Sequence, residues 1–248
     1  MGIISAGGTD IGKKRSTNQD SIFFDNNRLL FVVADGMGGH NGGDIASQLA
    51  VELFPKFFDS NKDQLDPKEL LSKSIVHVNQ GIYSKAQSEP MLKGMGTTIV
   101  SKYFKGGELY IGNVGDSRCY LVNNKKIYQL SKDHSLVQEK LNMGLYTRED
   151  ANKDKMKNVV VKTVGFEPEV EPDIFTYKVS KNDIFLICSD GLHGKLTDED
   201  IVNTINSFIP EPETTTPEVL QQAVDKLIEL ANFQGGQDNI SVIVTVAQ

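Results

Sequence analysis

With 248 residues, 39% hydrophobic and 24% charged content, the chain is long enough for one large core and too apolar to be a disordered segment. Its formal net charge of −7, with Lys and Arg scattered along the chain, argues against a nucleic-acid-binding face. No apolar run approaches the roughly 20 residues of a membrane span and no signal segment opens the chain, so the expectation is a cytoplasmic protein with no membrane contact.

In chain order, strand-like runs rich in Val, Ile, Phe and Tyr come first near 20–25 and 29–34. Asp44 reads as the cap of a helix with Ile45, Leu49 and Leu53 on one face. Asp66-Pro67-Lys68-Glu69 reads as an N-cap, a first-turn proline and a reciprocal Glu. The stripe Leu71, Ile75, Val78 and Ile82 continues that helix. Further strands are expected near 97–104, 108–114, 117–122 and 126–130, with Asn123-Asn124 as a hairpin turn. Residues 135–157 are polar and Lys-rich, which predicts a mobile, partly helical insert. Strands are expected again near 158–164, 173–179 and 184–189. A helix follows from Asp198 to Phe208, then a loop from Pro210 to Thr215, then a helix opened by Thr216-Pro217. A last strand is expected near 240–246. No linker or repeat divides residues 1–248, which predicts a single domain. Hairpin-like strands with helices bunched early and late predict an α+β fold: two mainly antiparallel sheets with helices packed outside. Cys119 and Cys188 lie in apolar runs and read as buried, reduced thiols.

Four aspartates stand where apolar runs begin or end, each beside Gly or Asn: Asp35, Asp116, Asp190 and Asp238. A carboxylate resists burial unless it is paired or holds a metal. Hard divalent cations take oxygen ligands. Four strand-end carboxylates therefore suggest one metal site rather than four loop charges. Asp20, at the head of the first clear strand, is placed to join the cluster directly or through water. Arg15 is a candidate phosphate clamp, although charge alone favours reading it as a solvent-facing loop cation. The chain has no His-Cys cluster for zinc, no Walker-type loop and no Gly-x-Ser-x-Gly elbow.

Seven segments carry a family pattern in order: Arg15-Ser16-Thr17-Asn18-Gln19-Asp20, Val33-Ala34-Asp35-Gly36-Met37-Gly38-Gly39-His40, Met95-Gly96-Thr97-Thr98, Asn113-Val114-Gly115-Asp116-Ser117-Arg118, Asp133-His134-Ser135, Cys188-Ser189-Asp190-Gly191-Leu192 and Gly236-Gln237-Asp238-Asn239. Together they resemble the metal-dependent protein phosphatases of the PPM, or type 2C, group, in its bacterial branch. The resemblance implies a four-layer αββα sandwich with two to three Mn²⁺ or Mg²⁺ ions at one end, between the sheets. It implies that Asp35 bridges two ions with the Gly36 carbonyl on one, that Asp190 and Asp238 complete the pair, and that Asp116 with Asp190 holds a third. Arg15 would bind the substrate phosphate, Asp20 and Asn239 would support the ligands, and residues 135–157 would form a flap. The implied reaction is hydrolysis of phosphoserine or phosphothreonine by a metal-activated water. The implied partners are phosphorylated proteins made by a cognate serine/threonine kinase, and the implied state is a monomer.

Two departures stand out. Met37 occupies the position where many eukaryotic members carry a histidine, so the proton for the leaving oxygen would come from water or from a side chain such as His40. Lys162, in Val161-Lys162-Thr163-Val164-Gly165, stands where many bacterial relatives have arginine. Two rival readings, a catalytically silent scaffold of the same fold and a nuclease, fit less well: a scaffold need not keep Asp35, Asp190 and Asp238, and a nuclease wants a basic channel.

Overall fold

The structure, a computed structural model, describes residues 2–38, 42–154, 156 and 158–248, without the side chains at 148 and 152. Its elements in chain order are β1 (Ile3–Asp10), β2 (Asp20–Asp25), β3 (Leu30–Met37), α1 (Gly43–Asn61), α2 (Pro67–Ser88), β4 (Gly96–Thr97), β5 (Ile99–Lys105), β6 (Glu108–Val114), β7 (Arg118–Asn123), β8 (Lys126–Gln129), α3 (Leu136–Asn142), α4 (Arg148–Lys153), β9 (Asp173–Lys178), β10 (Ile184–Cys188), α5 (Asp190–His193), α6 (Asp198–Phe208), α7 (Pro217–Phe233) and β11 (Ile240–Ala247).

One sheet has the order β1-β11-β10-β7-β8. The other runs β2-β3-β5-β6-β9, with β4 paired to the end of β3. All these pairings are antiparallel. Side chains alternate between the faces of a strand, and that alternation sorts the core into three layers. On β3, Leu30, Val32 and Ala34 pack with α1 and α2 residues such as Phe54, Leu71 and Ile75. Phe31 and Val33 point the other way, into the space between the sheets, with Val100, Ile111, Cys119, Phe185 and Ile243. On β10, Leu186 and Cys188 face α6 and α7 residues such as Ile201, Val224 and Leu227. The result is the expected αββα sandwich: helix layer, sheet, sheet, helix layer.

The helices begin where their chemistry allows. Asp66 accepts from the backbone N–H groups of Lys68 and Glu69, with Pro67 in the first turn. Thr197 and Asp200 form a reciprocal capping box for α6. The Asp44 cap is not observed. The N-cap of α1 is Gly42 at φ 99°, a left-handed conformation that suits glycine, and Asp44 lies in the first turn, where its charge complements the helix dipole.

Other expectations shift. β1 was not legible as a strand, although it pairs along its whole length with β11. The run 158–164 is not a strand: a single bridge joins Val160 to Ser135 and another joins Val164 to Thr97. Val164 is buried while Val159 and Val161 stay exposed, because alternating Lys and Thr leave the run no continuous apolar face. The hairpin turn is Asn124-Lys125, at φ 49° and 61°, with Asn123 paired to Lys126. Within residues 135–157, α3 and α4 supply the helical parts. Among the described residues no helix is long and apolar enough to cross a membrane.

Candidate active site

The same alternation that fills the inter-sheet core delivers carboxylates to its open end. Phe31, Val33 and Asp35 share one face of β3, and Ile22 and Asp20 share one face of β2. The register sets Asp20 directly opposite Asp35. Asp190 follows β10 as the first residue of α5, so its position is fixed where the strand turns into a helix. Asp238 immediately precedes the Asn239 that leads into β11. Asp116 sits in the tight connection between β6 and β7, after Gly115 at φ 107°, where a Cβ would fall 2.5 Å from Thr98 Cγ2.

Backbone contacts hold these positions. The Asp35 N–H donates to Thr98 Oγ1 at 3.0 Å, and its carbonyl accepts from the Thr98 N–H at 2.8 Å and the Thr97 hydroxyl at 2.9 Å. Thr98 Oγ1 also lies 2.8 Å from Ser117 Oγ, tying Asp35 on β3 to the loop that carries Asp116. Gly36 is required sterically: a Cβ would stand 2.0 Å from the Gly43 carbonyl oxygen and 2.5 Å from that of Gln19. Asn239 acts as a clamp, accepting from the Gln19 N–H at 2.8 Å and donating to the carbonyls of Ile11 and Thr17. It fixes the loop 11–19 that carries Arg15. Arg15 Nη2 donates to Asp238 Oδ2 at 2.8 Å, with the arginine side chain 47% exposed.

The electrostatics of the cluster are unfavourable without added positive charge. Burial pushes Asp20 up to about 7, and the negative charges of Asp190 and Asp238 push the same way. Asp116 is pushed up to about 7 by burial and then by Asp190, and Asp190 to about 6 by burial and then by Asp238. Asp35 is held well above the ordinary carboxylate range by burial, then by Asp20, Asp190, Asp116 and Asp238. Asp35 and Asp190 are surrounded by protein yet keep part of their surface open to the cleft. Asp20 Oδ2 accepts from the Ser189 hydroxyl at 2.7 Å, whereas its Oδ1 is buried with no partner.

Orphaned carboxylate oxygen, facing aspartates and the absence of His or Cys among them are the donor set a hard divalent cation wants. Among the described residues, no three His, Cys, Asp or Glu already form a closed ligand group. Asp35 and Asp190 lie close enough for their charges to act on each other, and Arg15 engages Asp238. The residues fit the ions by chemistry and by convergence, with side-chain adjustment needed to close on them.

Other candidate residues fall outside this centre. Arg118 is committed to Asp133 through contacts of 2.7 to 3.0 Å and to the Tyr120 hydroxyl at 2.9 Å. His134 Nδ1 accepts from the Gly115 N–H at 3.1 Å, which places the ring proton on Nε2, 3.3 Å from Asp173 Oδ2. That contact lies at ion-pair distance without hydrogen-bond geometry. Ser135 caps α3. Lys162 donates to the Glu171 carbonyl at 3.1 Å and lies 4.0 Å from Asp173, not among the clustered aspartates. Met37 ends β3 opposite Gly96. His40 lies outside the described residues. Reading the sequence missed the roles of Thr98, Ser117 and Ser189. The Thr97-Thr98 pair after Gly96 was visible as a motif, but only the strand pairing shows which backbone it holds.

Comparison with known proteins gives concordant results. The family described as Protein phosphatase 2C matches over residues 8–229. The serine/threonine phosphatase stp of Listeria monocytogenes serovar 1/2a is 38% identical over 242 residues, covering 95% of this chain and 92% of that protein. The crystal structure of the Mycobacterium tuberculosis serine/threonine phosphatase PstP/Ppp superposes with a TM-score of 0.89 at 32% identity, covering 100% of both chains. The catalytic domain of PstP in complex with two manganese ions is similar with a TM-score of 0.84 at 32% identity, covering 98% of this chain and 97% of that one.

Proposed function

Because the chain belongs to the protein phosphatase 2C family and is a metal-dependent serine/threonine phosphatase, we propose that Asp35, the Gly36 carbonyl, Asp190 and Asp238 hold two Mn²⁺ or Mg²⁺ ions. Asp116 with Asp190 is proposed to hold a third. The observation that carries this assignment is the direct opposition of Asp20 and Asp35 across β2 and β3, with Asp190 and Asp238 close enough to raise the pKa of Asp35. Like charges opposite one another destabilise a sheet, so this register makes physical sense where a cation is shared.

Divalent cations, when bound, supply Lewis acidity that makes an attacking water more acidic and offsets phosphoryl charge. The chain's own residues do the rest. Arg15, anchored through Nη2 and still half-exposed, presents its remaining guanidinium N–H groups to the phosphate of phosphoserine or phosphothreonine. Thr98 and Thr97 fix the Asp35 backbone, so its carboxylate is positioned before substrate arrives. Ser189 holds Asp20 beside the ligands, and Asn239 holds the loop that delivers Arg15. His40 is retained as the proposed proton donor to the leaving oxygen. Residues 135–157, with α3 and α4, are the proposed flap on a single catalytic domain.

The substrates are phosphorylated proteins. A monomeric cytoplasmic enzyme opposing a serine/threonine kinase is the proposed setting, supported by the free, buried Cys119 and Cys188, which suit a reducing compartment. The test is hydrolysis of p-nitrophenyl phosphate. Activity abolished by EDTA and restored by Mn²⁺ is expected, together with a Mn²⁺-induced rise in melting temperature that Asp35→Asn removes. An undiminished Mn²⁺ shift in Asp35→Asn would overturn the ligand assignment even if turnover fell.

A further inference from the structure

Where β1 ends, the chain turns through Ile11, Gly12 and Lys13 and packs against the C-terminal end of α7. A groove of about 420 Å³ lies there, lined by these residues with Asp10, Glu229 and Phe233. Two features distinguish it from ordinary surface. Phe233 is 82% exposed and Ile11 39% exposed, so the groove presents large apolar side chains that the fold leaves uncovered. It also shares a wall with the catalytic cleft. A Cβ on Gly12 would fall 2.2 Å from the Asp238 carbonyl oxygen, and the Lys13 N–H donates to the Gly236 carbonyl at 2.7 Å. Arg15, which engages Asp238, is two residues further on.

The charges around the groove are uneven. Glu229 is paired with Lys226 at 3.0 Å, and Asp10 Oδ1 accepts from the Gly12 N–H and from Asn232 Nδ2. The Glu229 charge is therefore offset by Lys226, while Asp10 is hydrogen-bonded by neutral donors and keeps its charge. Lys13 and Lys14 are exposed, and neither ammonium has a hydrogen bond or ion pair among the described residues. In a chain of net charge −7, the sequence Lys13-Lys14-Arg15 concentrates positive charge at the one place where the groove meets the cleft. Charge of that sign attracts anions within about a Debye length of 8–10 Å.

We propose that this groove receives the polypeptide flanking the phosphorylated residue of the protein substrate: a large apolar side chain seats against Ile11 and Phe233, and a neighbouring acidic residue meets Lys13 and Lys14. The proposal rests on the phosphatase reading and gives that site a preference for sequence context. Position argues for the substrate as occupant: a chain whose phosphate lies at Arg15 must leave the cleft along one of its walls, and the Gly12–Arg15 loop is a wall that combines apolar area with two lysines that have no ion pair among the described residues.

The experiment compares three substrates on the full chain with saturating Mn²⁺: p-nitrophenyl phosphate, a phosphothreonine peptide with Leu and Glu beside the phosphoresidue, and the same peptide with both replaced by Ala. The wild type is expected to prefer the Leu/Glu peptide by roughly tenfold in kcat/KM. Phe233→Ser and, separately, Lys13→Gln are expected to remove most of that preference through KM, while p-nitrophenyl phosphate turnover stays within about twofold. Fluorescence anisotropy of the labelled Leu/Glu peptide reads the groove without turnover, and Phe233→Ser is expected to weaken binding by a similar factor. Equal kcat/KM for the two peptides, or unchanged peptide binding in Phe233→Ser, overturns the groove. So does a parallel loss on p-nitrophenyl phosphate, which would place the effect in the catalytic centre. Absence of all turnover in the wild type counts against the phosphatase reading, and the anisotropy arm then judges the groove separately.

Discussion

Arg15 commits only part of its guanidinium within the fold. Its planar fork gives one N–H to Asp238 and leaves others directed at solvent, where a phosphate can be met by more than one bond. Lysine keeps the charge but not the fork. Arg15→Lys is expected to lower kcat/KM for a phosphopeptide by about 10- to 100-fold, the equivalent of one or two charge-assisted hydrogen bonds. Steady-state kinetics check this, and a change under twofold would reduce Arg15 to a loop cation. Asp35 makes the complementary case. Asp35→Asn is expected to reduce turnover by about 10³-fold or more. In EDTA, however, it is expected to melt higher by the equivalent of about 1 kcal/mol, because it removes a negative charge directly opposite Asp20. A variant that melts lower in EDTA would show that Asp35 is not frustrated by its neighbours. The identities of these residues were legible in the sequence, because a carboxylate at the end of an apolar run is conspicuous. Their mutual arrangement was not: that Asp20 faces Asp35 depends on register, and that Thr98 holds the Asp35 backbone depends on which strand lies next to β3.

At the scale of elements, the junction of β3 with α1 is a tight joint near the site. Gly36 lets the strand pass within contact of the Gly43 and Gln19 carbonyls, both rigid backbone groups. Gly36→Ala is expected to cost about 3 kcal/mol or more, measured as a lowered urea midpoint, since neither neighbour can rotate away. A loss under 1 kcal/mol would mean that the helix slides freely on the strand. The joint also explains which elements could be read from the chain. Helices α2 and α7 announce themselves through Asp66 and Thr216 at their starts, and α6 through the apolar spacing of Ile201, Ile205 and Phe208. β1 does not, because Ser5, Ala6, Gly7 and Gly8 have weak strand propensity. Its small residues are there for the neighbours: a Cβ on Gly8 would come within 3.0 Å of Ile228 and one on Gly7 within 3.1 Å of Ile243. Tertiary packing sets that strand, and a local reading cannot see it. The run 158–164 errs in the opposite sense, with strand-like valines but no strand to pair with beyond two isolated bridges.

Across the whole molecule, the layer between the two sheets carries both the core and, at one end, the clustered aspartates, and Lys102 stands within it. Alternation on β5 points Val100, Lys102 and Phe104 to the same inner face. The ammonium nitrogen lies 3.2 Å from the Phe185 carbonyl and 3.0 Å from Thr245 Oγ1, with the Phe31 ring 5.4 Å away. Among the described residues no carboxylate pairs with it, and burial pushes its pKa down from 10.5 to about 7. An unfolded lysine holds its proton up to about pH 10.5, so between pH 7 and 10.5 the unfolded chain binds more protons than the folded one. Stability therefore rises with pH through that window, and the penalty is fully present below about pH 7. Its upper bound is about 5 kcal/mol, against which Lys102 contributes two hydrogen bonds of about 1 kcal/mol each. Lys102→Met keeps the length and removes the charge. It is expected to be about 2 kcal/mol more stable than the wild type at pH 6, and equal or less stable at pH 10, where the neutral amine costs little and its hydrogen bonds remain. Urea midpoints at pH 6, 8 and 10 measure the difference. A constant offset at all three would mean that Lys102 never releases its proton on folding and that water reaches between the sheets. The crossing of the two curves would instead establish a dry inter-sheet layer continuous with the end at which Asp20 and Asp35 face each other.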